Sequence, residues 1–198
     1  KVMKTLLHIK SSLFGDNGQS AQLAGEFMAK WRSENPEGSV IERDIAADPV
    51  PHLDAFRVTA LNTAEAERTA EQQAVVDYAD QLLSEVKSAS VIVIGLPMYN
   101  FGISSQLKAW FDHLARAGVT FKYTETGPVG LIEDRPVYLI STRGGVYNGE
   151  NDGQLTAVRQ VLGFVGLSDV RVVLADGLAM GDEHREKGLE RAREALSN

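Results

Sequence analysis

The chain has 198 residues, 43% hydrophobic and 24% charged, with 18 glycines and 6 prolines. That composition excludes collagen-like and disordered chains, and the length suits a single domain over residues 1–198 with its own core. The net charge of −7 argues against nonspecific nucleic-acid binding and against an anionic membrane surface, and the lack of cysteine removes disulfides, thiolate nucleophiles and cysteine metal sites.

No apolar run approaches the about 20 residues of a membrane span. Residues 4–9 are too short for the apolar core of a signal peptide. A cytoplasmic protein with no membrane partner is therefore expected.

Five short runs rich in branched residues follow one another: 2–9, 40–45, 91–96, 137–140 and 170–175. The third, VIVIGL, is apolar throughout, as in a strand buried on both faces of a parallel sheet. Helical stripes lie between them. Leu23, Phe27 and Trp31 recur at spacing four beside Ala24 and Met28, with Ser20 as the expected N-cap. Val75, Val76, Ala79, Leu82, Leu83 and Val86 form a second stripe, behind a capping box of Thr69 and Gln72. Leu107, Trp110, Phe111 and Leu114 repeat the pattern behind Ser104 or Ser105, and residues 155–164 and 183–196 read as the last two helices. Strict strand–helix alternation predicts a doubly wound α/β fold: five parallel strands in the flavodoxin-like order 2-1-3-4-5, with helices on both faces. Two connections, near 46–68 and 119–135, are long enough to be insertions that build a lid, a subunit contact or a substrate wall.

In such a sheet ligands sit at the carboxyl ends of the strands, near the reversal of strand order. The loops after strands one, three and four are the ones to inspect. Residues 10–20, KSSLFGDNGQS, offer hydroxyls, glycines and a helix start, suited to a phosphate or simply to a capped polar turn. They match neither the P-loop nor GxGxxG. Residues 97–104, PMYNFGIS, carry two aromatics and a methionine, which want a flat apolar partner or burial in the core or a subunit contact. Residues 141–147, STRGGVY, hold paired glycines that let backbone approach a ligand or merely make a turn. The shared sheet edge is what favours the ligand reading of all three. His8, His52, His113 and His184 lack metal-ligand spacing, so no metal is expected. Arg135 and Arg143 offer charge for an anionic substrate, with a surface role the simpler expectation.

These segments resemble the FMN-dependent NADH-azoreductase family, which is akin to the NAD(P)H:quinone oxidoreductases. The resemblance runs over essentially the whole chain. It is carried by Lys10-Ser11-Ser12 with Gln19-Ser20, by PMYNFGISSQLK, by ARAGVTF, by STRGG and by LGFVGLSDV. It implies a homodimer with one FMN per subunit. Ser12, Gly18, Gln19 and Ser20 would hold the phosphate. Met98, Tyr99, Asn100 and Phe101 would line the isoalloxazine, and Thr142, Arg143, Gly144 and Gly145 would approach its pyrimidine side. Many relatives carry serine at the places of Gly18 and Thr142, and relatives vary at the place of Tyr147. Phe121, Tyr123, Tyr147 and Phe164 are the expected substrate wall, partly lent by the second subunit because they have no obvious place in the monomer core. The implied reaction takes electrons from NADH or NADPH through FMN to azo, quinone or nitro compounds by a ping-pong scheme, with no side-chain nucleophile. Two other readings stay open at this point: a flavodoxin-type single-electron carrier and an FMN-free interaction module.

Overall fold

A computed structural model describes residues 3–147 and 151–197. Val2, the expected start of the first strand, lies outside the described residues. Five strands, β1 (Thr5–Lys10), β2 (Ser39–Asp44), β3 (Val91–Pro97), β6 (Val137–Thr142) and β7 (Val170–Ala175), form one parallel sheet in the order β2-β1-β3-β6-β7. This is the expected order, with β6 and β7 as the fourth and fifth strands of the main sheet.

Alternation along β3 explains why its sequence is apolar throughout. Ile92, Ile94 and Leu96 enter a core beneath α3 (Ala70–Ser88), α4 (Ser105–Leu114) and α5 (Gly153–Phe164). Val91 and Val93 enter the opposite core, beneath α1 (Gln19–Glu34) and α6 (Asp182–Ser197). Two of the expected side-chain caps start their helices as predicted. Thr69 and Gln72 form the reciprocal capping box of α3, and Ser104 accepts from Leu107 N at the start of α4.

The two insertions take definite shapes. Residues 46–68 hold the short helix α2 (Ala55–Asn62), capped by Asp54 and packed on α3. Residues 119–135 hold an antiparallel hairpin of β4 (Phe121–Thr124) and β5 (Gly127–Gly130). The hairpin is pinned near its base, where Gly130 meets the backbone of Gly166 so closely that a Cβ at 130 would overlap it. Ile132 N then donates to Val165 O at 3.0 Å. Arg135 is not idle surface: its guanidinium donates to the carbonyls of Val86, Lys87 and Ala89 and closes the C-terminal end of α3.

Candidate functional site

At the carboxyl edge of the sheet the loops after β1, β3 and β6 converge on an open cleft of about 450 Å³. Nine of the twelve expected cofactor residues line it: Ser12, Gly18, Gln19, Ser20, Met98, Tyr99, Thr142, Arg143 and Gly144. Asn100, Phe101 and Gly145 do not line it. Phe14, Pro97 and Leu178 do, and sequence reasoning missed them. Leu178 follows β7, a fourth loop at the same edge that the search for a ligand site could have included. A larger groove of about 900 Å³ opens around Lys4, Trp31 and Tyr138, away from these loops.

The first loop ends in a helix without a side-chain cap. Ser20 is not the N-cap; α1 starts one residue earlier, and its N-cap is Gly18, which has no side chain to offer. Gln22 N makes the first intrahelical bond, to Gly18 O, so the amides of Gln19, Ser20 and Ala21 have no acceptor in the helix. Uncapped donors at the positive end of a helix dipole suit a phosphate. Ser12 Oγ occupies the space that a Cβ at Gly18 would need, so glycine there brings loop and helix start together. Lys10, at the start of this loop, is engaged elsewhere. Lys10 Nζ lies 2.7 Å from Asp16, 3.4 Å from Glu42 and 3.9 Å from Asp44, and the bond to Asp16 raises its pKa despite partial burial. Beneath this loop His8 is buried in β1. Burial lowers its pKa to about 4, against the weaker opposing pull of Glu42, and its Nδ1 has no hydrogen-bond partner.

The second loop is a tight hairpin turn. Tyr99 N donates to Gly102 O at 2.9 Å and Gly102 N to Tyr99 O at 3.0 Å. Between them Asn100 and Phe101 both have positive φ, +49° and +70°. Two left-handed residues are what a type I′ turn needs, and for phenylalanine that conformation is unfavourable. Tyr99 ties this loop to the first, its hydroxyl accepting from Leu13 N at 2.9 Å. Phe101 is 71% exposed, with Tyr147 edge-on to its ring at 6.0 Å.

In the third loop the carbonyls of Arg143, Gly144 and Gly145 accept from Leu178, Ala179 and Gly177, the loop after β7. The amides of Gly144 and Gly145 have no acceptor among the described residues. Arg143 departs from the surface role expected of it. It is fully buried, donating to Asp152 at 2.7 Å, Ser141 at 3.1 Å and Gln154 at 2.9 Å, with its guanidinium 5.8 Å from the Tyr147 ring centre.

The aromatics assigned to the wall divide. Phe121 and Phe164 do find a place within their own chain: their rings stack at 4.1 Å and Phe121 is 8% exposed. Tyr123 stands out from the hairpin, 74% exposed, with its edge-on contact to Phe121 at 5.6 Å. Tyr147 stands over Arg143 beside the cleft. No group of residues suited to holding a metal occurs among the described residues, and no helix among them is long and apolar enough to cross a membrane.

The donor set fits the group that the sequence resemblance implies. Uncapped helix amides and neutral hydroxyls lie at one end of the cleft, the Met98–Tyr99 surface along its side, and the Gly144 amide, without an acceptor among the described residues, at the other end. Comparison with known proteins agrees. The flavodoxin-like fold family matches residues 4–198. An FMN-dependent NADH:quinone oxidoreductase of Cellvibrio japonicus (strain Ueda107) is 59% identical over 91% of this chain and 92% of its own length. Another, from Alcanivorax borkumensis, is 49% identical over 96% and 97%. Among solved structures, an FMN-dependent NADH-azoreductase from Bacillus anthracis str. Ames Ancestor, in complex with FMN, superposes with a TM-score of 0.86 at 29% identity, covering 98% of both chains. The chain belongs to the flavodoxin-like fold family and, within it, to the FMN-dependent NADH:quinone oxidoreductases.

Proposed function

We propose that this protein carries electrons from NADH through FMN to quinones and azo compounds, one domain per chain, in a cleft that donor and acceptor occupy in turn. The observation that carries this reading is the meeting, at one edge of the sheet, of an uncapped helix start and the Gly144 amide, both in the cleft, with the Gly145 amide just beyond it, neither glycine amide having an acceptor among the described residues. FMN, when bound, supplies the redox chemistry, taking two electrons from the nicotinamide and passing them to the acceptor. The chain's own work is binding and orientation. Ser12, Gly18, Gln19 and Ser20 hold the phosphate with neutral donors and the helix dipole. Met98, Tyr99, Asn100 and Phe101 shape the ring side. Thr142 and the amides of Gly144 and Gly145 meet the pyrimidine edge, where donors fixed in advance stabilise negative charge. Arg143 serves from behind, holding these glycines in place. A ring held with one face accessible in the open cleft would imply a ping-pong scheme, with nitro compounds as further acceptors. NADH is the donor that the relatives' names carry.

The working unit is a cytoplasmic two-fold homodimer. Phe14, Phe101, Tyr123, Val146 and Met180 are exposed, apolar or aromatic side chains, and a second subunit would cover such surface while closing the open side of the cleft. Tyr123, backed by the Phe121–Phe164 stack, is the side chain each subunit lends, and Tyr147 completes the wall.

The test is direct. Purified protein loaded with FMN should bleach with NADH under anaerobic conditions and regain colour with a quinone. Varying NADH and quinone together should give parallel double-reciprocal lines, whereas intersecting lines would rule out the shared pocket. Sedimentation equilibrium should return twice the 21.5 kDa chain mass.

A further inference from the structure

The turn at residues 97–102 holds two left-handed residues that are not glycine, a conformation that persists only where the surroundings impose it. Its own pair of backbone bonds and the bond from Met98 N to Thr142 O, at 2.9 Å, account for part of that hold. The buried part of the remaining hold comes from Gln154, on the first turn of α5 and 2% exposed. Its Nε2 donates to Pro97 O at 3.1 Å and to Gly102 O at 3.2 Å, the two ends of the turn. Its Oε1 accepts from Arg143 at 2.9 Å. The orientation of the amide is unambiguous, because a guanidinium only donates and a carbonyl only accepts. Arg143 immediately precedes the glycine pair and is itself held by Asp152.

We propose that Gln154 is a positioning residue for the redox site, its single amide tying both ends of the Pro97–Gly102 turn to buried Arg143 so that the ring-side turn and the glycine pair keep one fixed spacing. The inference rests on the reading that the ring of FMN lies between those two segments. Gln154 touches neither the cleft nor a reactant; it acts through the turn. A cleft that must hold a planar ring by one face while leaving the other open gains from such a brace, since its two walls belong to different loops.

Gln154→Glu is the discriminating variant. It keeps the volume and the acceptor toward Arg143 but replaces the donor that faces two carbonyls with an oxygen. Gln154→Met keeps the volume alone and guards against a fault peculiar to the buried carboxylate. Three readouts are taken on each: apoprotein melting, amide exchange across the apoprotein, and FMN affinity with the visible spectrum of the loaded protein. Losing two hydrogen bonds at one turn should speed exchange at the Tyr99 and Gly102 amides about tenfold or more. FMN binding should weaken about tenfold, the flavin band should shift, and exchange in β1 and β3 should not change. Melting that falls in step with uniformly faster exchange would mark Gln154 as ordinary core and overturn the proposal. Wild-type protein that binds FMN beside variants that match it in all three readouts would overturn it while leaving the proposed function intact. Wild-type protein that binds no FMN would overturn both.

Discussion

Residues 97–102 add a buried brace from outside to their own pair of backbone bonds, whereas residues 12–20 are held chiefly by their own backbone, with one outside bond from Leu13 N to Tyr99. The 97–102 turn hangs from Gln154, which Arg143 holds in turn, and from Thr142, all on the β6–α5 side of the sheet. The phosphate-side loop closes on itself, through Gly15 N to Ser12 O, Asn17 N to Phe14 O and Gly18 N to Gly15 O, and then opens into a helix with no cap. The contrast matches what each would do under the proposed function. A phosphate needs donors that nothing else in the chain uses. A flat ring needs walls that do not move, and a buried polar network supplies rigidity, although Arg143 Nε has no partner among the described residues.

The contrast breaks most severely at Arg143. Arg143→Met strands Asp152 and the Gln154 carbonyl oxygen, and removing one partner of a buried ion pair costs about 3–5 kcal/mol. Denaturant unfolding should show that loss. A change below about 1 kcal/mol would mean that the network does not brace the turn.

Acidity tests the other side. His8, under the phosphate loop, has its pKa lowered by burial to about 4, against 6.5 ordinarily. Between those values the unfolded chain takes up a proton that the native chain refuses, so stability falls as pH drops from 6.5 toward 4. The loss amounts to roughly 3 kcal/mol at its fullest and is absent above pH 7. His8→Leu should flatten this slope relative to wild type, and parallel curves would show that the native histidine titrates normally.

The link between the two loops is smaller. Tyr99→Phe deletes the acceptor for Leu13 N, worth about 1 kcal/mol, and should weaken FMN binding about fivefold in a fluorescence titration. Smallest in stability is Ser20→Ala. Because Gly18, not Ser20, occupies the cap position, apoprotein stability should change by less than about 0.5 kcal/mol, while FMN affinity falls. A stability loss of the size expected for a lost cap, about 1 kcal/mol, would restore the serine as cap.

The fold was largely legible because its signals are local. VIVIGL reads as a strand buried on two faces, and the stripes at 75–86 and 107–114 read as helices, because burial imposes its period on neighbouring residues. The loops that line the cleft were legible through a topological rule, the carboxyl edge of the sheet, and the positions within them through the family resemblance. What escaped depends on partners distant in sequence. The strands FKYT and GPVG are four residues each, and the second holds glycine and proline, so neither shows alternation. Phe121 finds Phe164, 43 residues on, and no local pattern announces that stack. Arg143 looked like surface because its counter-charge and its amide partner lie on the following helix. Ser20 looked like a cap because serine at a helix start ordinarily is one; here the helix is left open, and that departure from local preference falls at the proposed site.

The central claim is that FMN lies across this cleft with its phosphate on the uncapped start of α1. A crystal structure of the FMN-loaded protein tests it most directly. It should show the phosphate on the amides of Gln19 and Ser20, the ring against Met98 and Tyr99, and its pyrimidine edge on the amides of Gly144 and Gly145. A phosphate bound elsewhere, with those four amides turned to water, would contradict it.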